Sequence, residues 1–242
     1  MFIVGKKTAV YTHKGGREQN EDFYYLVKKK GCRLFIVADG LGGHDCGEVA
    51  SKEASLCIVD LFKKKPKKFD IESAIALANE RVLSLQKVER RMKTTIALVY
   101  ISKKKTILAH VGDTRIYLFK KDDITYQTVD HSVSQMAVKT GEIIAEQIRS
   151  HIDRNKLTKA LGNNQTIKPD INCIDNKDYD SILMCTDGFW EYVFEEEMLQ
   201  LKNSTRSAKK WLFKMREMLN KRIDNTNDNN TAITFYKRRK KR

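Results

Sequence analysis

The stretch Phe35-Ile36-Val37-Ala38-Asp39-Gly40-Leu41-Gly42-Gly43-His44 sets the interpretation of the whole chain. Its four leading apolar residues predict the end of a buried strand that begins near Cys32. Asp39 places a carboxylate at the end of that strand, where an unpaired buried charge would be strongly destabilising. The glycines that follow allow a ligand to approach the main chain closely. We therefore expect Asp39 to bind a cation.

Length and composition indicate one domain with a substantial core, because 41% of the 242 residues are hydrophobic and no Pro/Gly/Ser-rich linker interrupts them. No apolar run approaches the roughly 18 residues that cross a bilayer. The first charge comes after three apolar residues, so we expect no signal peptide and a cytoplasmic protein. Five cysteines without a C-x-x-C spacing agree with a reducing compartment.

The formal net charge of +15 raises the question of an anionic partner. The excess lies in clusters at residues 28–30, 63–68, 103–105, 209–210 and 237–242. No aromatic residues interleave with these clusters, so we expect no dedicated nucleic-acid binding. Two interpretations remain: a solubilising lysine surface, or contact with an anionic surface, for which the basic tail 237–242 is best suited.

Hydrophobic periodicity predicts strands and helices in a mixed order. The predicted strands cover residues 2–12, 23–29, 32–38, 94–101, 106–111, 115–119, 124–129, 171–174, 181–185 and 231–236. The predicted helices cover 46–62, 71–88, 133–140, 195–201 and 207–223. Four consecutive short strands favour an antiparallel sheet, and separated helix pairs favour an α+β protein with helices on the outer faces. The polar segment from Asp130 to Gly162 has the character of an excursion that covers a site.

Carboxylates stand at or beside the ends of two further predicted strands, at Asp187-Gly188 and Asp228-Asn229, and Glu21-Asp22 adds an acidic pair in the first loop. An Asp-Gly after a strand is often an ordinary turn, so each position alone is a weak signal. Together, acidic oxygens without nearby Cys or His favour a hard cation such as Mg²⁺ or Mn²⁺.

Six motifs in order resemble those of the metal-dependent protein Ser/Thr phosphatases of the PP2C (PPM) family, in its compact bacterial form. They are Arg17-Glu18-Gln19-Asn20-Glu21-Asp22; Asp39-Gly40-Leu41-Gly42-Gly43-His44 with Gly47-Glu48-Val49-Ala50-Ser51; Val111-Gly112-Asp113-Thr114-Arg115; Leu157-Thr158-Lys159-Ala160-Leu161-Gly162; Thr186-Asp187-Gly188-Phe189-Trp190; and Asp228-Asn229-Asn230-Thr231. The resemblance extends from residue 8 to residue 236.

The resemblance implies an α+β fold, a four-layer αββα sandwich of two antiparallel β-sheets flanked by helix pairs. Residues 1–236 would form a single phosphatase domain with a flap at about 130–162, followed by the basic tail 237–242. The implied enzyme is a monomer that hydrolyses phosphoserine and phosphothreonine in phosphoproteins by direct attack of a metal-bridging water, opposing a Ser/Thr protein kinase. The alternative is an inactive relative that uses the fold as a binding module.

The resemblance also implies a role for each motif residue. Two Mn²⁺ or Mg²⁺ ions would be bridged by Asp39, one held by Glu21 and the Gly40 carbonyl, the other by Asp187 and Asp228. Asp113 would join Asp187 on a third, weaker metal, and Arg17 would bind the phosphate. Asp22 and Asn229 would lie in the shell behind these ligands.

The chain departs from the family pattern at Leu41, where many eukaryotic members carry a His proposed as general acid. A leucine cannot donate a proton, so the leaving alkoxide must take one from metal-bound water or from another group, of which His44 is the nearest in sequence. The alternative interpretation of Asp113 is a turn residue between two strands without a metal. We expect Trp190 to pack beneath the metal loop rather than to contact substrate. We assign no role to His131 and His151.

Overall fold

The structure is a computed structural model that describes residues 2–4, 7–42, 46–86 and 91–237. Its strands are β1 (Phe2–Val4), β2 (Thr8–His13), β3 (Phe23–Lys29), β4 (Cys32–Ala38), β5 (Gly40–Leu41), β6 (Lys93–Thr94), β7 (Ile96–Ile101), β8 (Lys105–Val111), β9 (Arg115–Lys120), β10 (Asp123–Gln127), β11 (Asp170–Asp175), β12 (Ser181–Cys185) and β13 (Asn230–Tyr236). Its helices are α1 (Cys46–Lys64), α2 (Ile71–Leu85), α3 (Val133–Thr140), α4 (Asp187–Trp190), α5 (Glu195–Ser204) and α6 (Ala208–Asn220), with 3₁₀ turns at Pro66–Lys68 and Ala145–Ser150.

Two antiparallel sheets form the centre of the molecule. The first sheet has the strand order β1-β2-β13-β12-β9-β10, and the second has the order β11-β8-β7-β4-β3. A separate two-stranded pair joins β5 to β6. The prediction of antiparallel sheets is confirmed, but the four consecutive strands β7 to β10 do not form one sheet: β7 and β8 pair in the second sheet, and β9 and β10 pair in the first.

Strand β4 shows why its sequence is apolar at every position. Leu34 and Ile36 belong to the core cluster that contains Ile58 and Phe62 of α1, on the outer face of the second sheet. Phe35 and Val37 belong instead to the cluster between the two sheets. A strand that is covered on both faces has no position for a polar side chain, so it becomes a continuous apolar run.

The helices form the outer layers. Helices α1 and α2 pack on the second sheet, where Ile58 and Ile75 are fully buried. Helices α5 and α6 lie over the first sheet, where Trp211 and Leu212 of α6 join a cluster with Tyr117 of β9. The predicted four-layer αββα architecture is confirmed. Among the described residues, no helix is both long and apolar enough to cross a membrane.

Element boundaries differ from the sequence predictions at several places, of which two change the number or the length of elements most clearly. The expected strand over residues 2–12 is two strands, β1 and β2, which pair antiparallel with Phe2 opposite Tyr11. The helix expected to reach residue 88 ends at Leu85, and Val88 lies outside the described residues. Its start is well marked, because the Asp70 carboxylate accepts a hydrogen bond from the Ser73 amide at 3.2 Å and caps the helix.

The strand registers give the sandwich two distinct ends. At the end that we call the carboxylate end, β4 finishes at Ala38, β8 at Val111 and β12 at Cys185, and β13 begins at Asn230. At the opposite end, which we call the distal end, lie the β3–β4 and β7–β8 hairpin turns, with Arg33 opposite Ile101. The chain crosses from the second sheet to the first at the carboxylate end, between β8 and β9.

The segment from Asp130 to Gly162 attaches at the carboxylate end. It contains α3, which Ser132 caps and Gly141 ends in a left-handed conformation (φ 81°), as suits glycine. Bridges from Ser132 to Leu157 and from Thr94 to Leu161 hold its base. The predicted α3 is confirmed at the expected bounds.

Candidate active site

A cleft of about 360 Å³ opens at the carboxylate end. Most of the residues predicted to form the site line it, together with two residues of the segment from Asp130 to Gly162. The lining residues are Arg17, Glu18, Gln19, Glu21, Asp39, Gly40, Leu41, Gly42, Asp113, Asn155, Leu157, Asp187, Asp228 and Asn229. Residues that are distant in sequence meet here because both sheets end at this side of the sandwich.

Two threonines fix the main chain of Asp39. The Asp39 amide donates to the Thr95 hydroxyl at 2.9 Å. The Asp39 carbonyl accepts from the Thr94 hydroxyl and from the Thr95 amide, each at 2.8 Å. The sequence interpretation treated these threonines only as strand residues. Their hydrogen bonds fix the main chain of Asp39 and leave its carboxylate among the groups that line the cleft.

The Asp39 carboxyl has a pKa raised well above its usual range, first by burial and then by the charges of Asp187, Asp22 and Asp113. Burial and the neighbouring Asp187 likewise raise the pKa of Asp113 well above normal. Asp187 hydrogen-bonds Asp39, and burial together with Asp228 raises its pKa to about 6. Among the described residues, no Lys, Arg or His forms an ion pair with Asp39, Asp113 or Asp187. Mutually repelling carboxylates of this kind, with Asp113 buried and Asp39 and Asp187 half-buried, suit a bound cation.

Glu21 lies beside Asp39 because two glycines let three backbone segments approach one another. A Cβ on Gly40 would stand 2.1 Å from the Gly47 carbonyl oxygen, and one on Gly47 would stand 2.6 Å from the Glu21 carboxylate. The Gly47 amide, near the start of α1, donates to Glu21 Oε1 at 3.2 Å. Gly40 and Gly47 therefore allow the Glu21 carboxylate, the Gly40 main chain and Asp39 to lie together.

Asn229 links the loop between β2 and β3 to the loop before β13. Its side-chain oxygen accepts from the Glu21 amide at 2.7 Å, and its Nδ2 donates to the carbonyls of Lys14 at 2.7 Å and Gln19 at 2.8 Å. Asp22 is buried, accepts from the Thr186 hydroxyl at 3.0 Å, and has a pKa that burial raises to about 8. Asn229, which lines the cleft, and Asp22, which does not, therefore both hold the acidic segments in place.

Arg17 stands at the rim of the cleft and pairs with Asp228. Its Nε and Nη2 donate to the two carboxylate oxygens of Asp228 at 3.0 and 2.8 Å. The Arg17 side chain is 57% exposed and that of Asp228 is 41% exposed. A two-pronged contact at this exposure is readily exchanged, so the guanidinium is available to another anion with paired oxygens.

The protein-family comparison gives a direct assignment, because the model described as protein phosphatase 2C matches residues 11–230. The chain belongs to the protein phosphatase 2C family. The resemblance seen in its motifs is therefore confirmed, and so is the activity that they predict. The enzyme is a serine/threonine protein phosphatase, and the alternative of an inactive binding module is not supported.

Relatives and solved structures agree with this assignment. The serine/threonine phosphatase stp of Listeria welshimeri is 31% identical over 202 residues, which cover 79% of this chain and 80% of that protein. The crystal structure of Stp1 from Staphylococcus aureus has a TM-score of 0.83 at 26% identity and covers 98% of this chain and 96% of its own. The PstP catalytic domain, solved in complex with two manganese ions, shares the fold with a TM-score of 0.80 at 24% identity, over 95% of this chain and 97% of that one.

His131 has a clear place in the phosphatase, although its sequence context showed none. Its amide donates to the Gly112 carbonyl at 3.0 Å, and its Nδ1 accepts from the Gly112 amide at 3.1 Å. This double contact fixes the turn that carries Asp113. Burial, with His110 and Lys159 nearby, lowers the His131 pKa to about 4, so the ring stays neutral and Nδ1 remains an acceptor.

Ring nitrogens of His110 and His131 and an oxygen of Asp170 lie within 4.8 Å of one another. This spacing would allow a metal, but the hydrogen bonds do not. Since His131 Nδ1 is an acceptor, Nε2 carries the proton and donates to Asp170 at 3.3 Å. The Lys159 ammonium also stands 3.4 Å from that nitrogen. His131 and Asp170 therefore form a hydrogen-bonded support, with the His110 ring stacked on His131, rather than a second metal site.

Trp190 is buried beneath the Asp113 turn, as expected, with its indole N–H donating to the Asp113 carbonyl at 3.0 Å. The Arg115 guanidinium lies 3.5 Å from the centre of its ring. Arg115 is itself buried and makes a two-pronged ion pair with Asp130, with a shortest distance of 2.7 Å. The turn that carries Asp113 is thus held by packing, a hydrogen bond and a buried charge pair.

Leu41 lines the cleft and brings no titratable group to it. His44, the neighbouring alternative for a proton donor, lies outside the described residues. His151 accepts a hydrogen bond from the Asp153 amide at 3.1 Å and does not line the cleft.

Proposed function

We propose that the phosphatase hydrolyses phosphoserine and phosphothreonine in proteins with two Mn²⁺ or Mg²⁺ ions held at the carboxylate end. The observation that carries the proposal is the group of Asp39, Asp113 and Asp187, whose pKa values are all raised and which form no ion pair with a cationic side chain among the described residues. Hard divalent cations prefer such carboxylate oxygens. The donor set therefore fits these ions.

The positions of the side chains support a division of roles. Asp39 would bridge the ions, with Glu21 and the Gly40 carbonyl on one of them and Asp187 and Asp228 on the other. Asp113, beside Asp187, would take part in a third and weaker site. When bound, the ions supply a water of lowered pKa and offset the negative charge of the phosphate ester.

Arg17 would bind the phosphate of the substrate. The guanidinium fork that now spans both oxygens of Asp228 has the geometry for two oxygens of a phosphate. Binding of a phosphate dianion would draw Arg17 away from Asp228 and free that carboxylate for a cation. Catalytic roles in this scheme fall to Arg17 and Asp39.

We also infer that residues 1–236 act as one catalytic domain, with the flap at about 130–162 facing the substrate through Asn155 and Leu157. The five cysteines are all free thiols, which agrees with an enzyme that acts in the reducing cytoplasm. A monomer acting on targets of a Ser/Thr kinase completes the proposal.

The test is hydrolysis of a phosphothreonine peptide by the purified protein with Mn²⁺, with Mg²⁺ and with a chelator. We expect phosphate release with either metal and none with the chelator. Full activity in the chelator, after dialysis against the same chelator, would contradict the proposed metal chemistry. Activity with metal that survives loss of the Asp39 carboxylate would contradict the residue assignment.

A further inference from the structure

Ten exposed lysines gather at the distal end of the sandwich. They come from three stretches that are far apart in sequence: the β3–β4 turn, the end of α1 with the 3₁₀ turn that follows it, and the β7–β8 turn. They are Lys28, Lys29, Lys30, Lys64, Lys65, Lys67, Lys68, Lys103, Lys104 and Lys105. The clusters that are separate in the sequence are thus one surface, which we call the lysine surface.

Strand pairing places these stretches side by side. Lys28 is opposite Arg33, Arg33 is opposite Ile101, and Ile101 is opposite Thr106, so the two hairpin turns adjoin. The Tyr100 hydroxyl donates to the Pro66 carbonyl at 2.8 Å and brings the 3₁₀ turn to the same edge. In the sequence, five further basic residues follow Lys237, which lies at this end next to Tyr236.

No lysine of this surface forms an ion pair with any residue that the structure describes. Three acidic residues of the distal end have other partners, since Asp175 pairs with Lys177, Asp178 with Lys120 and Asp180 with Lys202. Asp70, which follows the 3₁₀ turn, accepts hydrogen bonds from Ser73 at the start of α2, so no ion pair among the described residues neutralises the lysine surface.

The fold itself does not require lysine at these turns. Lys30 adopts a left-handed conformation with φ 48°, which glycine or asparagine adopts more easily. A positive charge at the tip of the β3–β4 turn is thus present in spite of the backbone preference at that position.

We propose that the lysine surface docks the phosphatase on anionic lipid headgroups at a membrane surface. The charges sit on hairpin tips and a helix end, a shape that meets a plane better than it holds a strand of nucleic acid. The ten residues are lysines, point charges without the planar fork that reads phosphates or bases. None of the large apolar side chains exposed in the described residues lies among them, so neither base stacking nor insertion into the bilayer contributes.

This mode of docking is electrostatic and reversible. Each lysine near an anionic surface contributes roughly a factor of five in affinity, and salt screens the attraction over about 8 Å at physiological ionic strength. The catalytic cleft lies at the opposite end of the sandwich, so it would face away from the membrane and stay open to protein substrates.

The experiment is co-sedimentation of the full chain with vesicles of equimolar phosphatidylglycerol and phosphatidylcholine, compared with phosphatidylcholine alone. The test variant carries Lys28→Glu, Lys29→Glu, Lys103→Glu and Lys104→Glu. The matched control carries Lys52→Glu, Lys209→Glu, Lys214→Glu and Lys221→Glu, four exposed lysines on α1, on α6 and just after α6, with the same net charge. Circular dichroism and hydrolysis of p-nitrophenyl phosphate confirm that both variants fold and work.

We expect binding to the anionic vesicles only, loss of binding at high salt, and an affinity at least about 100-fold lower in the test variant than in the control. No binding of the wild-type protein to anionic vesicles would overturn the proposal. Equal losses in the test variant and the control would also overturn it, since net charge alone would then explain binding. Sensitivity of duplex DNA binding, but not of vesicle binding, to the test variant would reassign the surface to nucleic acid.

Discussion

The two ends of the sandwich concentrate opposite charges under opposite conditions. At the carboxylate end, Asp22 is buried and Asp39 and Asp187 are half-buried, and their pKa values rise. At the distal end, the lysines are exposed on turns and keep their solvation. A buried charge costs free energy unless a partner meets it, whereas an exposed charge costs little and interacts weakly. One end therefore specifies individual ligands, and the other acts only through the number of its charges.

The largest effect should follow from removing the Asp39 carboxylate. We expect Asp39→Asn to lower kcat/KM for p-nitrophenyl phosphate with Mn²⁺ on the order of 10³-fold or more, since it removes the bridging ligand. The same change removes a carboxyl whose ionisation the folded site disfavours, so the chelated variant should melt at a higher temperature than the chelated wild type. Asp60→Asn, at an exposed position of α1, is the control for both measurements. Near-normal turnover in Asp39→Asn would contradict the site.

The second comparison tests burial at the carboxylate end against exposure elsewhere. Asp130→Asn should lower the free energy of unfolding by about 3 kcal/mol, because it leaves the buried Arg115 without its main partner. Glu53→Gln breaks the ion pair with Arg81, whose side chain is 49% exposed, and should change the free energy by less than about 1 kcal/mol. Urea unfolding measures both. Equal losses would show that burial does not set the energetic scale.

The third prediction concerns the pH dependence of the chelated protein. Burial raises the folded-state pKa of Asp22 from 3.8 to about 8 and that of Asp187 to about 6. Between the unfolded-state pKa and the raised folded-state pKa of each group, the folded state binds more protons than the unfolded state. The free energy of unfolding therefore falls as the pH rises from about 4 to about 8. Saturating Mn²⁺ should restore stability near neutral pH. A melting temperature that stays level across this range in the chelator would contradict the raised pKa values.

Arg17→Lys keeps the charge at the rim of the cleft and removes the fork. We expect kcat/KM to fall by about 10- to 100-fold, chiefly through a higher KM, because lysine cannot span two phosphate oxygens. Arg81→Lys is the matched exchange in an exposed ion pair far from the cleft and should leave both constants unchanged. An equal KM in wild type and Arg17→Lys would show that charge alone suffices.

The smallest effect belongs to a single residue of the lysine surface. Lys30→Asn relieves a left-handed lysine and should raise the free energy of unfolding by up to about 1 kcal/mol, while vesicle affinity falls about fivefold. Lys29→Asn, in the last position of β3, should lose affinity without a gain in stability. A gain in both variants would mean that lysine repulsion, rather than backbone strain, is relieved.

The sequence predicted most of the site because motif residues have fixed positions relative to strand ends. Asp39 follows β4 and Asp187 follows β12, so their places were visible in the alternation of apolar runs and turns. His131, Thr94 and Thr95 were missed as supports of Asp113 and Asp39, because their contacts join segments that no local pattern relates. For the same reason, the sequence alone does not show that three of the basic clusters lie side by side.

The sequence by itself determined the layers of the fold, the family and the acidic residues, since apolar periodicity and motif order are local properties of the chain. Only the tertiary structure decided which charges are buried together and which are exposed together. Strand pairing sets those neighbourhoods across large sequence distances, and water exclusion then fixes their energies. It made Asp39 the centre of a repelling carboxylate group, and it joined three lysine clusters into one surface at the opposite end.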